Sequence, residues 1–295
     1  MKIKASAKIN VFLCVIRKRT DGYNEIETVF LPVENPCDIV ELRESRDGKL
    51  SVTCSVPELS GCKNLCHKGA NAFAKSAKIR PSWKIRIRKN IPVAAGLGGG
   101  SSDAAAVLKL LQKKYPEIIS ETEIIKLASK IGADVPFFLN PVPSIATGIG
   151  EKLKPLDVKC KIPVVLVFPK FPVSAKWAYE NRIKSGSRIN SRDMVSAIKE
   201  NDLEKISLLL RNDLAPALWK KFPILTILKK ALSKAGALGV EVSGSGSSLF
   251  AIAESAKSAE LIAKAMNKRF KHSIVCHAAM AGSVRGQPKR HRDTK

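Results

Sequence analysis

Aromatic residues are scarce in this chain, 5% of 295 residues, and acidic residues are outnumbered by basic ones, 26 against 51. The shortage of aromatics argues against a stacking surface for single-stranded nucleic acid, which interleaves aromatic and basic side chains. The shortage of acids leaves a formal net charge of +25, a field that attracts polyanions from nucleic acid down to small phosphorylated molecules. No apolar run approaches the roughly 20 residues of a membrane span. The first apolar stretch, "INVFLCVI", is preceded by Lys8 and followed by no small-residue cleavage site, so a soluble, cytoplasmic protein is expected. Seven cysteines without a paired framework point to reduced thiols. In "CKNLCHK", Cys62, Cys66 and His67 lack the second ligand pair of a zinc finger, so thiols flanking a helix start are the expectation and no metal ligands are assigned.

What is present is a chain that is 45% hydrophobic and long enough for two domains. Residues 1–56 read mostly as strands, "KIKASAKINVFLCVI", "YNEIETVFLPV", "DIVELRES" and "KLSVTC", separated by turns at "KRTDGY", "ENP" and "RDG". Asn64 is placed to cap a helix over 65–77, and "WKIRIRK" alternates as a half-exposed strand does. After a glycine-rich loop, Ser101 or Ser102 is expected to cap a helix with Ala104, Val107, Leu108 and Leu111 on one face, and Asp103 to complement its positive end. "SETEIIKLASKIG" reads as a helix with a capping box from Ser120 to Glu123 and a left-handed Gly132 at its end. "ADVPFFLNPVPSIATGIGEKL" reads as loop and short strand. Beyond a break near 154–162, "PVVLVFP" is a buried strand, helices fill roughly 193–235, "ALGVEVSGSGSSLFAIA" is strand, turn, strand, and a helix and a last strand follow. The basic segment 284–295 is expected to be a disordered tail.

The loop is "PVAAGLGGGSSDAA". A Walker A loop needs a Lys and a Ser or Thr after its last glycine, and Gly100 is followed by Ser101 and Ser102; the dinucleotide pattern G-x-G-x-x-G fails because Ser101 stands at its last glycine. The physics of a phosphate loop remains. Gly96, Gly98, Gly99 and Gly100 allow backbone N–H groups to turn toward an anion, the following helix adds its positive end, and two hydroxyls stand ready as donors or metal ligands.

"PVAAGLGGGSSDAA" resembles the signature of the GHMP kinases, the superfamily of galactokinase and of homoserine, mevalonate and phosphomevalonate kinases, and "GSGSSLF" resembles its third motif. "SAKIN", "KRTDGYNEIET" and "GADVPFF" resemble the isoprenoid-pathway branch, whose acceptor is a cytidine diphosphate derivative. The resemblance spans about residues 2–282. It implies an α+β fold with an N-terminal domain like ribosomal protein S5 domain 2 (1–154) and a ferredoxin-like C-terminal domain (155–283). It further implies Mg-ATP as donor, held by Pro92, Val93, Ala94, Ala95, Gly96, Leu97, Gly98, Gly99, Gly100, Ser101 and Ser102. Lys8 and Asp134 match the family's catalytic pair; Asn10 matches a position near the substrate; Tyr23 and Tyr179 match the two aromatic faces that hold cytosine. Two positions depart from the pattern: Asn24 stands where the family usually has His, and Ala175 where it has Thr. An amide still offers cytosine a donor and an acceptor. Another GHMP kinase, or a basic RNA-binding protein on an S5-like fold, remains as an alternative, although the second would not need loop, Lys8 and Asp134 together.

Overall fold

The computed structural model describes residues 1–183, 189–271 and 273–282, so the expected tail lies outside the described residues. The first half contains β1 (Lys2–Lys18), β2 (Asn24–Glu44), β3 (Ser51–Cys54), α1 (Leu65–Ala77), β4 (Trp83–Arg88), α2 (Gly99–Lys114), α3 (Glu121–Ile131), α4 (Val135–Leu139), β5 (Ser144–Thr147) and β6 (Lys152–Pro155). The second half contains β7 (Lys161–Pro169), α5 (Ala175–Glu180), α6 (Ser191–Glu200), α7 (Leu203–Leu208), β8 (Arg211–Asn212), α8 (Ala215–Lys221), α9 (Pro223–Lys234), β9 (Gly239–Val242), β10 (Leu249–Ile252), α10 (Ala256–Phe270) and β11 (Ile274–Gly282). Residues 156–160, between β6 and β7, carry neither helix nor strand.

Among the described residues one eleven-stranded sheet runs through both halves, with the central path β3-β4-β2-β11-β7-β10-β9. The halves are stitched where β11 meets β2 at Ala281 and Val33, and where β8 lies parallel to β1. On β7, Ile162, Val164, Leu166 and Phe168 enter the core shared with β1 and β2, whereas Val165 and Val167 enter the core under α8, α9 and α10. Both faces of this strand are covered, which is why "PVVLVFP" shows no alternation.

Several local expectations change in the structure. "ENP" is not a turn between strands: Ser6 pairs with Cys37 and Ala7 with Val33, so residues 34–36 bulge out of a single continuous β2. Helix α2 starts inside the loop, at Gly99, with Gly98 in a left-handed conformation (φ 73°) as its N-cap and no side-chain cap, so Ser101 and Ser102 lie in its first turn. Its buried surface also takes in Ala105, Ala106 and Leu110, because α1, α4, β1 and β2 pack around it. Ser120 does accept the Glu123 N–H at 3.2 Å, but the Glu123 carboxylate bonds Ser76 instead of closing a capping box. Gly132 is extended (φ 178°), not left-handed, and Val135–Leu139 is helical with Pro136 in its first turn, where a missing N–H costs nothing.

Candidate active site

Lys8 and Asn10 sit two residues apart on β1 and share a face, while Ala7 and Ile9 turn into the core. The Lys8 ammonium is almost fully buried, donates to Asn10 Oδ1 at 2.6 Å and lies 5.0 Å from the centre of the Phe30 ring. Asn10 in turn donates to Thr28 Oγ1 at 2.8 Å, and Thr28 donates to the Phe12 carbonyl at 2.6 Å. This chain of donors fixes which way the Asn10 amide faces. Asp134 occupies the N-cap position of α4 but caps nothing; its carboxylate lies 3.5 Å from the Lys8 ammonium and keeps 31% of its side chain exposed. An ion pair with one member open to solvent is what a proton acceptor for an incoming hydroxyl requires.

The loop is held against this pair from two sides. The Lys8 N–H donates to the Leu97 carbonyl, and the Ala94, Ala95 and Gly96 carbonyls accept from Val173, Ser248 and Ser243 of the second half. A Cβ at Gly96 would come within 2.0 Å of the Ser243 carbonyl oxygen, and one at Gly98 within 2.7 Å of the Phe138 ring, so both glycines are required by close approach as well as by positive φ. Gly244, in the turn between β9 and β10, leaves only 3.2 Å between a Cβ there and Asn10 Oδ1. That turn is positioned by the buried Asn212, whose amide donates to the Val242 and Gly244 carbonyls at 2.9 and 2.8 Å.

These elements enclose a cavity of about 920 Å³. Lys8, Asn10, Tyr23, Asn24, Gly96, Gly98, Ser101, Asp134 and Tyr179 all line it, although they come from five separate segments. Tyr23 projects from the turn before β2 with 61% exposure, and Tyr179 is half-buried on α5. Burial, with the nearby Asp134 charge adding to it, raises the Tyr179 phenol above its ordinary range and keeps it neutral. Other expected loop residues face elsewhere. Leu97 and Ser102 are buried, and Pro92, Val93 and Ala95 line a second cavity of about 470 Å³ against Phe168 and Phe171. Four contributors to the site had not been singled out: Thr28, Phe30, Gly244 and Arg182, the last lining the cavity while donating to the Val15 carbonyl at 2.8 Å. Gly244 and Thr28 were within reach, since they lie in "GSGSSLF" and "KRTDGYNEIET"; Phe30 becomes legible only once β1 and β2 are paired.

Residues 64–140 match the family model described as "GHMP kinases N terminal domain", and residues 194–272 match "GHMP kinases C terminal". The chain belongs to the GHMP kinases. Its similarity within them is specific. It is 38% identical over 285 residues to the 4-diphosphocytidyl-2-C-methyl-D-erythritol kinase of Desulfitobacterium hafniense, covering 96% of this chain and 97% of that one. The enzyme of the same name from Chlorobaculum tepidum is 37% identical, with 91% and 94% covered. A crystal structure of 4-(cytidine 5'-diphospho)-2C-methyl-D-erythritol kinase superposes with a TM-score of 0.80 at 32% identity, covering 96% of this chain and all of that one. Homoserine kinase from Cytophaga hutchinsonii, at TM-score 0.73 and 22% identity over 96% and 95% of the two chains, shares the fold.

Proposed function

We infer that this protein transfers the terminal phosphoryl group of ATP to the 2-hydroxyl of 4-diphosphocytidyl-2-C-methyl-D-erythritol, giving the 2-phosphate and ADP in isoprenoid precursor synthesis. The observation that carries the mechanism is the Lys8–Asp134 pair at 3.5 Å on the wall of a cavity that also opens onto Gly96, Gly98 and Ser101. The acceptor hydroxyl is a poor nucleophile until its proton has somewhere to go. Asp134 takes that proton as the hydroxyl oxygen bonds to the γ-phosphorus and the bridging P–O bond to ADP breaks. Lys8 holds the carboxylate in place and offsets the charge that spreads over the transferred oxygens. The N–H groups of the loop and the first turn of α2 receive the ATP phosphates. Tyr23 and Tyr179 clasp the cytosine ring, and Asn24 reads its edge with one donor and one acceptor.

Magnesium takes one or two protein oxygens and the phosphates of its nucleotide. Ser101, whose residue lines the cavity, would hold it, and it would neutralise phosphate charge during transfer. No described helix is long and apolar enough to cross a membrane. The test is ADP release with Mg-ATP across 4-diphosphocytidyl-2-C-methyl-D-erythritol, homoserine, mevalonate and phosphomevalonate. Turnover on the cytidyl compound alone is expected; turnover on another acceptor alone would keep the kinase and overturn the substrate.

A further inference from the structure

The sheet that carries the site is covered unevenly. Val29, Leu31 and Val33 of β2 lie in a core shared with β7 and α6 of the second half. Beyond the bulge at 34–36, β2 and its neighbours β4 and β3 have helices on one side only: Val40, Leu42, Val52, Ile85 and Ile87 pack beneath α1 and α2, and the residues between them turn the other way. Register sets Lys2 opposite Glu41 and Lys4 opposite Ile39; on the other flank of β2, Arg88 stands opposite Ile39, Arg86 opposite Glu41 and Lys84 opposite Arg43. Directly paired residues share a face. This open face therefore gathers Lys2, Lys4, Arg43, Lys84, Arg86 and Arg88 around the carboxylate of Glu41.

Few of these charges are matched. Arg43 pairs with Glu41 at 2.6 Å, and Lys84 lies 3.7 Å from Asp47 in the turn before β3. Lys2, Lys4, Arg86 and Arg88 form no ion pair among the described residues. The excess is felt by Glu41 itself: the Arg43 hydrogen bond, and behind it the charges of Arg43, Arg86 and Lys2, hold its carboxyl below the ordinary value.

We propose that this face binds the phosphate backbone of double-stranded RNA. The cations stand in two rows, one on β1 and one on β4, with β2 between them. Neighbouring strands lie about 4.8 Å apart, so the rows are about 10 Å apart. A duplex groove has phosphates along both walls, at widths of about 6 to 12 Å in B-form DNA, and two rows at that spacing meet both walls at once. A flat sheet face has no helix or ribbon to send into a deep groove, whereas A-form RNA offers a wide, shallow minor groove recognised by shape and backbone. The face carries no aromatic side chain, so a single strand finds no stacking platform. Its one large apolar residue, Ile39, is half-buried and gives a lipid surface little to hold. A second copy of the chain, also at +25, would bring like charge against like. The face lies on the other side of the sheet from α2, so this binding is separate from the kinase reaction.

The test is fluorescence anisotropy of a labelled RNA duplex of about 16 base pairs, long enough to present two successive minor grooves. It is titrated with protein between about 50 and 200 mM salt. Lys4→Gln, Arg86→Gln and Arg88→Gln together remove three charges from the face, and Lys257→Gln, Lys264→Gln and Lys268→Gln together remove three from the exposed side of α10, so the two variants have equal net charge. The wild type is expected to bind with a Kd on the order of 10 μM. The face variant should bind at least about tenfold more weakly, with the slope of log affinity against log salt reduced by about two to three, and the α10 variant should stay close to the wild type. Absence of binding, or equal weakening in both variants, would overturn the site. A DNA duplex or phosphatidylserine vesicles bound as tightly as the RNA would overturn the choice of partner. Inhibition of ADP release by the duplex, competitive with ATP, would put the RNA on the phosphate loop instead. Lysine acetylation of the wild type, read by mass spectrometry, needs no variant to fold: the duplex should protect Lys2, Lys4 and Lys84 and leave Lys257 and Lys264 reactive, and uniform protection would count against the face.

Discussion

Two lysine–aspartate clusters flank the same glycine-rich loop, and they differ in how much room they leave. Lys8 and Asp134 stand 3.5 Å apart, wider than a charge-assisted hydrogen bond, with Asp134 partly exposed on the cavity wall. Lys89 touches two carboxylates at hydrogen-bonding distance, and one of these, Asp38, spends its second oxygen on backbone N–H groups. The first cluster leaves space for a hydroxyl and a phosphoryl group to enter. The second admits nothing. A charge pair that is open and half-wet is suited to react, whereas one that is closed and dry is suited to hold other parts still.

The largest effect expected from this contrast is on turnover. Asp134→Asn should lower kcat by about a thousandfold, within the range that a positioned proton acceptor contributes, with ATP binding and the thermal midpoint unmoved. Turnover near the wild-type rate would take Asp134 out of its role, and a lowered midpoint would mean that the open pair is structural after all. Asp38→Asn sharpens the contrast from the other side. Leaving Lys89 with one carboxylate in a dry site should cost about 3 kcal/mol of stability in denaturant unfolding. A variant as stable as the wild type would show that the closed cluster holds nothing.

Tyr23→Ala concerns the open site alone. Loss of one stacking face should raise KM for the cytidyl acceptor about tenfold and KM for ATP far less; equal changes would place the ring outside the acceptor subsite. The smallest expected effect is a pH slope in stability. Asp103 is raised from an ordinary 3.8 to about 7, so the folded chain binds its proton more tightly than the unfolded chain does. Its contribution is fully present below about pH 3.8 and is lost as pH rises through about 7. Asp103→Asn should flatten that part of the unfolding curve, and an unchanged slope would assign the titration to another group.

The elements that were legible in the sequence are those whose signal is local. Helix α1 runs from Leu65 to Ala77 as its pattern predicts, because Asn64 accepts the Cys66 N–H at 2.8 Å and Cys66, Gly69, Ala70, Phe73 and Ala74 recur at helical spacing. Gly96, Gly98, Lys8, Asp134 and both tyrosines were likewise readable as motif positions, and they share one cavity. Less legible was anything settled by a distant neighbour. The cap of α2 moved from Ser101 or Ser102 to Gly98, which is left-handed and packs against Phe138 and Lys8, residues far away in the chain. Asp103 reads locally as a charge placed at the positive end of a helix, yet its carboxylate belongs to a cluster with residues 14 and 65 positions earlier.

By itself, then, the order of residues determined the strands and helices that have local caps and periodicity, the presence of a glycine-rich loop before a helix, and the kinase family whose motifs it carries. Tertiary structure alone decided which of the chain's many charges face the cavity and which are closed off from it. Lys8 lies on β1 and Lys89 one residue past the end of β4, both next to the loop and indistinguishable by composition or by alternation. Their side chains are equally inaccessible, at 5% and 6%, so their difference comes from partners: one faces a single partly exposed carboxylate on a cavity wall, and the other is enclosed by two buried ones. Burial and charge pairing depend on the distances between segments, and those distances exist only after the sheet has brought β1, β2 and β4 together.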